Sequence, residues 1–151
     1  MTLVYRQEYA KLDGLDCPAV LLPQEWLAEV LPSSDAEAPS GSYRLLAHCT
    51  EKTNATAATA LWGQVFRQAG LQLATQATGC CGMSGTYGHE ARNLETSRAI
   101  FAQSWEPALA REDAGEALAT GYSCRSQTQR LRQQRLRHPI EALLEHHRAR
   151  G

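Results

Sequence analysis

The strongest constraint on the fold is a regular alternation of short apolar runs and longer amphipathic segments after residue 42. Three runs have the composition of strands, at 43–47, 71–76 and 116–122, and a segment with helical periodicity follows each of them. Strands that alternate with helices pair in parallel through right-handed crossovers. We therefore predict an α/β domain with a small parallel sheet and flanking helices.

Helical periodicity fills the segments around these strands. The sequence predicts helices over 54–69 and about 89–106, a helical region after residue 124, and a final helix that Pro139 opens. Pro107 is expected to interrupt or restart the second helix, because proline cannot donate the backbone hydrogen bond. We find no internal repeat that would offer a different architecture.

Residues 1–41 are less regular. Pro23 predicts the start of a helix that runs to residue 31, and the apolar runs at 3–5 and 19–22 predict strands or buried extended segments. The polar stretch that follows the helix is rich in proline and serine, which is typical of a loop. We therefore predict an N-terminal segment, 1–41, that packs on a domain formed by 42–151.

Composition and charge exclude several classes of protein. The chain has 151 residues, 43% of them hydrophobic, which suffices for one modest core. Its formal net charge of −1 gives no electrostatic basis for binding nucleic acid. No run of 18 apolar residues predicts a transmembrane segment, and the first residues do not form a signal peptide. A cytoplasmic location is therefore expected, with a peripheral position at the inner membrane face left open.

Cysteine is the residue type that points to chemistry. The chain has five cysteines, and an odd number in a reducing compartment favours ligands, nucleophiles or small buried side chains over disulfides. Cys49 follows the first predicted strand, Cys80 and Cys81 follow the second, and Cys124 follows the third. Because the carboxyl ends of parallel strands share one edge of the sheet, we expect these four thiols to converge. Cys17 is expected to be a packed side chain.

The surroundings of the vicinal pair favour a bound metal or cluster. Glycines at 79, 82, 85 and 88 let the backbone turn sharply and approach a bound group, and a helix starting near His89 would favour thiolates. Thiolates are soft ligands that select iron–sulfur clusters or zinc. His48 is a weaker candidate, as a substitute ligand or as a group that hydrogen-bonds a ligand. We predict a metal centre at Cys49, Cys80, Cys81 and Cys124.

A group of arginines is the one local concentration of charge: Arg125, Arg130, Arg132, Arg135 and Arg137. No aromatic residues are interleaved with them, so the pattern indicates a solvated or partner-facing surface and not a nucleic-acid site. Docking to an acidic partner domain or to an anionic substrate is the alternative that the sequence leaves open.

Several segments together resemble the cysteine-rich CCG domain, which occurs in heterodisulfide reductases and in large FAD-linked oxidoreductases. They are Cys49, GCCGMSGTYGHE at 79–90, GYSCRSQ at 121–127, and His138-Pro139. The resemblance covers roughly residues 1–145. It is greatest to the C-terminal end of the FAD- and iron–sulfur-containing D-2-hydroxyacid dehydrogenases, whose typical substrates are D-2-hydroxyglutarate or D-lactate.

The resemblance implies a C-terminal fragment of a longer enzyme that is inactive when isolated. Its cofactors would be an iron–sulfur cluster of the 4Fe–4S type, held by the four cysteines, and FAD in an upstream part of the chain. Its partners would be the upstream FAD-binding and iron–sulfur domains and an electron acceptor, and a homo-oligomer is left open. The fullest family pattern has five cysteine ligands and ends in Cys-x-x-Cys. The last of these positions is Gln127 here, so four of the five ligand cysteines remain.

Two other interpretations stay open at this stage. The domain is a structural module in the first of them, with zinc or no metal at the thiols, and it only shapes a docking surface. In the second, Cys80 and Cys81 form a redox pair, which ranks lower because adjacent cysteines can bridge only with strained geometry. No residue is assigned as a general base.

Overall fold

The structure, a computed structural model, describes residues 2–16, 18–34, 38–111 and 115–150. Its helices are α1 (Thr2–Gln7), α2 (Pro23–Val30), α3 (Cys49–Asn54), α4 (Thr56–Gln68), α5 (Leu94–Leu109), α6 (Tyr122–Arg132) and α7 (Pro139–Arg150). Its strands are β1 (Ser42–Leu46), β2 (Gln72–Thr75) and β3 (Glu116–Ala119). Cys17 lies outside the described residues, so its packed role stays a prediction.

The three strands form one parallel sheet in the order β2-β1-β3. Tyr43 of β1 lies opposite Leu73 on one side and Glu116 on the other. Beyond β3, Leu118 forms a single bridge with Arg137, and the N–H of Ala119 donates to the Arg137 carbonyl at 3.0 Å. The predicted α/β class with a small parallel sheet is confirmed.

Helices cover both faces of this sheet, and the alternation of side chains along β1 divides the core between them. Leu46 belongs to a cluster with Phe101 and Trp105 of α5. Leu45, its neighbour, belongs to a second cluster with Trp62 and Phe66 of α4. Both leucines are fully buried, as expected for a central parallel strand that is covered on two sides.

Arg44 is a buried charge on the same strand. Its Nε donates to the carbonyl of Gly115 at 3.0 Å, and its guanidinium also reaches Gln76 and the carbonyl of Leu109 at the end of α5. A cation at a helix C-terminus is stabilised by the unpaired carbonyls there. Arg44 therefore ties β1 to the start of β3 and to the end of α5.

Two sequence expectations in this region are wrong. The run at 3–5 lies in α1, and Val4 on that helix is 47% exposed. A short apolar run does not distinguish a strand from a helix. The run at 19–22 forms no strand either, and its Leu21 is 42% exposed. The second error concerns Pro107, which lies inside α5. Proline removes one backbone hydrogen bond, but Pro107 lies in the last turn of α5. The helix ends soon afterwards at Leu109.

The segment before β1 contacts the domain through α2, which packs on α4. The side-chain amide of Gln68 on α4 donates to the carbonyls of Ala28 and Leu31 at 3.1 Å each. Arg6 of α1 pairs with Glu25 of α2 and donates to the carbonyl of Val20 at 2.7 Å. None of the helices described here is long and apolar enough to cross a membrane.

Candidate thiol site

The four predicted cysteines lie at one edge of the sheet. Cys49 is the first residue of α3, shortly after β1 ends. Cys80 and Cys81 lie in the loop that follows β2, and Cys124 lies in the first turn of α6, after β3. The convergence expected from the order of strands and helices is therefore present.

The four thiols form two interacting pairs. Cys49 interacts with Cys80 and Cys81 with Cys124, both through side-chain hydrogen bonds, and the two pairs are joined by the adjacent residues Cys80 and Cys81. All four are free thiols. Cys81 and Cys124 are 3% and 1% exposed, whereas Cys49 and Cys80 are half-buried. The inner pair is therefore shielded by protein, and the outer pair faces the surface.

These contacts separate the acidities of the thiols. The hydrogen bond from Cys124 lowers the pKa of Cys81 to about 7. The same contact, together with burial, raises the pKa of Cys124 above its ordinary value. Burial also raises the pKa of Cys80, although the N–H of Gly82 opposes that effect. Cys81 therefore ionises more readily than Cys124 near neutral pH.

The loop after β2 turns backbone N–H groups toward these sulfurs. The N–H of Gly82 lies 3.3 Å from Cys80 Sγ, and the N–H of Met83 hydrogen-bonds Cys81. Gly82 and Ser84, on either side of Met83, both have positive φ, at 82° and 41°. Successive N–H groups in such a loop form a concave site for anions, including the sulfur atoms of iron–sulfur centres.

Glycine is the one residue type that the loop can accommodate at position 82. Its φ is +82°, and a Cβ there would overlap the carbonyl oxygen of Ser97 on α5. Ser97 in turn donates its hydroxyl to the carbonyl of Gly82 at 2.8 Å. The close approach of loop and helix thus depends on the missing side chain.

Gln127 completes this contact from α6. Its side chain is fully buried, and its Nε2 donates to the Ser97 hydroxyl at 2.8 Å. Its Oε1 has no hydrogen-bond partner among the described residues. The position where the family pattern has a second cysteine therefore holds, in this chain, a residue that fastens the loop through Ser97.

His48 is also brought to the site. A Cβ on Gly121 would overlap the His48 ring and would lie 2.9 Å from Cys124 Sγ, so the ring and this sulfur flank the same glycine. Ser123 Oγ lies 3.4 Å from His48 Nε2, and the His48 N–H donates to Thr120 Oγ1 at 3.0 Å. Gly121 therefore permits imidazole and sulfur to approach each other.

Two residues of the site were missed by sequence reasoning because they lie on α3, which was not predicted. Lys52 donates its ammonium group to the carbonyl of Thr78, just before the cysteine loop. Glu51 accepts hydrogen bonds from Trp62 and Gln24 at 3.2 Å each. The segment 49–54 is polar and has no apolar periodicity, so only its position after β1 could have indicated its role.

The helix expected from residue 89 begins later. Short 3-10 turns occupy 87–89 and 91–93, and α5 starts at Leu94. The four glycines around the cysteine pair do not share one backbone conformation. Gly82 and Gly85 have positive φ, and Gly79 and Gly88 do not. Within the described ranges, no three histidine, cysteine, aspartate or glutamate side chains are placed to hold a single metal ion.

The fold and this edge together define a class: a cysteine-rich α/β domain whose thiols gather at the carboxyl edge of a three-stranded parallel sheet. No protein-family profile matches the chain, and no solved structure matches it. Relatives of similar sequence are nevertheless known, and they are enzymes.

Proteins named D-2-hydroxyglutarate dehydrogenase match nearly the whole chain. The one from Pseudomonas putida is 64% identical over 147 residues, which is 97% of this chain and 14% of the relative. The one from Escherichia coli is 45% identical over 148 residues, and the one from Haemophilus influenzae is 38% identical over 156. The chain thus corresponds to a C-terminal part of these dehydrogenases and spans about one seventh of their length.

Proposed function

We propose that this chain is a CCG-type domain that carries electrons through an iron–sulfur cluster in an FAD-linked dehydrogenase. The substrate would be a D-2-hydroxy acid of the D-2-hydroxyglutarate or D-lactate type. The observation that carries the proposal is the convergence of Cys49, Cys80, Cys81 and Cys124 at one sheet edge. The printed name of the relatives supports the choice of reaction.

The donor set fits such a cluster. Four cysteine thiolates are the ligand set of 4Fe–4S centres, and soft sulfur donors favour iron–sulfur chemistry. Cys81 already has a lowered pKa, which reduces the cost of forming a thiolate. The N–H groups of Gly82 and Met83 would stabilise the negative charge on the sulfurs. The cluster would supply one-electron transfer when bound.

The residues around the thiols have separate tasks in this proposal. His48 would hydrogen-bond a ligand or substitute for one, since its ring and Cys124 Sγ flank Gly121. Gln127 would not replace the missing thiolate, because its amide oxygen is a hard donor and iron–sulfur clusters select soft sulfur ligands. Its Nε2 would instead hold the loop through Ser97. Trp105 would keep the loop in place by donating to the carbonyl of Gly79 at 3.1 Å.

The rest of the enzyme would supply the flavin and the acceptor path. The relatives are about seven times longer than this chain, which leaves room for FAD-binding and further iron–sulfur domains as its partners. An apolar groove between α2 and α7, about 820 Å³ in volume, includes Leu27, Ile140 and Leu144 and is a surface on which such a domain would pack. The chain by itself would not oxidise the hydroxy acid.

The test is anaerobic purification of the chain with analysis of iron, acid-labile sulfide and zinc. We expect iron and sulfide in stoichiometric amounts, a broad visible absorption and an EPR signal on reduction. Cys81→Ser and Cys124→Ser should each lose at least half of the iron, and Cys17→Ser should lose none. Stoichiometric zinc with no iron would instead establish the structural alternative. An anaerobic protein that takes up neither metal, even on reconstitution, would support the docking alternative.

A further inference from the structure

A charged pocket lies on the outer face of α6, next to the helix face that carries Cys124. It has a volume of about 600 Å³. Its lining includes Tyr122, Arg125, Arg130, Arg135, Leu136 and Glu141. Three guanidinium groups thus face one carboxylate, on a chain whose net charge is −1. A local excess of positive charge at a concave surface attracts anions.

The carboxylate of Glu141 is already engaged. Its Oε2 accepts the N–H of His138 at 2.6 Å at the start of α7 and lies 3.5 Å from Arg125, and its Oε1 accepts from Arg135 at 3.1 Å. One carboxylate that caps a helix and contacts two arginines leaves most of their N–H groups without an acceptor.

Two donors of the pocket stand out. The Nε–H of Arg125 is buried and has no hydrogen-bond partner in the part of the chain that the structure describes. Arg130 makes no ion pair with any described residue. The neighbouring arginines outside the pocket differ, because Arg132 pairs with Glu106 at 3.2 Å and Arg137 pairs with Glu116 and Glu145. Within this group of five arginines, the unmatched donors therefore belong to two that line the pocket.

We propose that this pocket binds a small dicarboxylate. A guanidinium group matches a carboxylate through two parallel hydrogen bonds, and separate arginines on α6 and on the following loop suit two carboxylates on one molecule. The volume is in the range of small-molecule sites, and Leu136 and the Tyr122 ring provide apolar contact for a short carbon chain. The choice of a dicarboxylate rests on the proposed function, because 2-hydroxyglutarate carries two carboxylates.

The test is a titration of the chain with glutarate, followed by NMR of the α6 amides and by calorimetry. We expect saturable binding that Arg130→Gln weakens at least tenfold, and that Arg125→Gln weakens as much or more. Arg98→Gln, an exposed arginine on α5, is the matched control and should leave the affinity unchanged. Arg130 is exposed, so its variant should keep the fold even if Arg125→Gln does not.

Four outcomes would overturn the proposal. Butyrate bound as tightly as glutarate would show that one carboxylate suffices, and inorganic phosphate bound as tightly would make the pocket a general anion site. Hexaglutamate bound more tightly than glutarate would make the surface a docking site for an acidic segment. Equal weakening by Arg98→Gln would indicate a general charge effect. The titration is independent of the iron analysis, so either proposal can fail while the other stands.

Discussion

The two faces of the sheet are built by the same alternation of side chains but differ in what they carry. The face covered by α4 and α7 holds Leu45, Trp62, Phe66 and Leu118, and the buried cluster that the described residues form there contains no cysteine. The face covered by α5 and α6 mixes similar residues with Cys81 and Cys124. A single shift in strand register would exchange these sets, so the fold and the site depend on the same pairing.

This difference teaches where the chain can tolerate change. On the α4 face, a side chain matters for the volume that it fills. On the α5 face, a side chain also determines where the cysteine loop lies, since Trp105 donates to Gly79 and Ser97 donates to Gly82. Mutations of equal size on the two faces should therefore have equal effects on stability and unequal effects on the thiols.

The largest expected effect tests this comparison directly. Phe66→Ala and Phe101→Ala each remove a fully buried ring, and each should lower the free energy of unfolding by about 3–5 kcal/mol. Phe101 stacks on Trp105, with ring centroids 6.3 Å apart, so only Phe101→Ala should also raise the rate at which Cys81 is labelled in the folded protein. Urea denaturation and pulsed alkylation would measure the two effects.

Exposed Leu144→Ala is the control and should cost less than about 0.5 kcal/mol. The comparison between faces fails if Phe66→Ala increases Cys81 labelling as much as Phe101→Ala does.

A smaller effect should separate two glycines of the cysteine loop. Gly82→Ala adds a Cβ that overlaps the Ser97 carbonyl oxygen, whereas a Cβ on Gly85 meets nothing within 4 Å. Both residues have positive φ, so both variants should lose about 1–2 kcal/mol from backbone strain. Gly82→Ala should lose more than that and should also lose iron, which thermal unfolding and metal analysis would measure.

Gly85→Ala is the matched control for Gly82→Ala, because it carries the backbone strain without the overlap with Ser97. If both variants have the same stability and the same iron content, contact between the loop and α5 does not position the cysteines.

The smallest expected effect concerns the segment that covers the α4 face. The hydrogen bond from Arg6 lowers the pKa of Glu25 below its ordinary value of 4.5. A lowered carboxyl pKa contributes stability that is complete above the ordinary pKa and is lost as the pH falls through the folded-state pKa. Glu25→Gln should therefore destabilise the protein by about 1 kcal/mol or less near neutral pH, and the difference from wild type should vanish in acid.

Denaturation at a series of pH values from 7 to 3 would follow this loss. Glu29→Gln changes an exposed glutamate on the same helix and should not alter the pH dependence. A constant difference between Glu25→Gln and wild type at every pH would mean that the charge of Glu25 has no role.

The fold class and the gathering of the cysteines could be predicted because both follow from periodicity. Parallel strands place their carboxyl ends together, so Cys49, Cys80 and Cys124 converge once the order of elements is recognised. The start of α2 and of α7 could be predicted for a local reason, since Pro23 and Pro139 suit the first helical turn.

The remaining features depend on contacts between distant residues. The fastening of the loop by Gln127 through Ser97 joins residues 30 apart in the chain, and nothing local distinguishes this glutamine from a surface one. The short helix α3 lacks an apolar stripe, so no periodicity indicates it. A left-handed turn at Gly82 agrees with its residue type. The close approach of α5, which leaves no room for a Cβ there, could not be predicted from the sequence.

The two edges of the sheet differ in whether another strand can join them. The outer side of β3 is occupied by the bridge from Leu118 to Arg137, whereas no described strand pairs with the outer side of β2. Exposed edge strands are templates for pairing with other chains, and a short edge such as β2, with four residues, limits that hazard. Any extension of this sheet within a larger enzyme would therefore be added beside β2, and so on the side away from the arginine pocket.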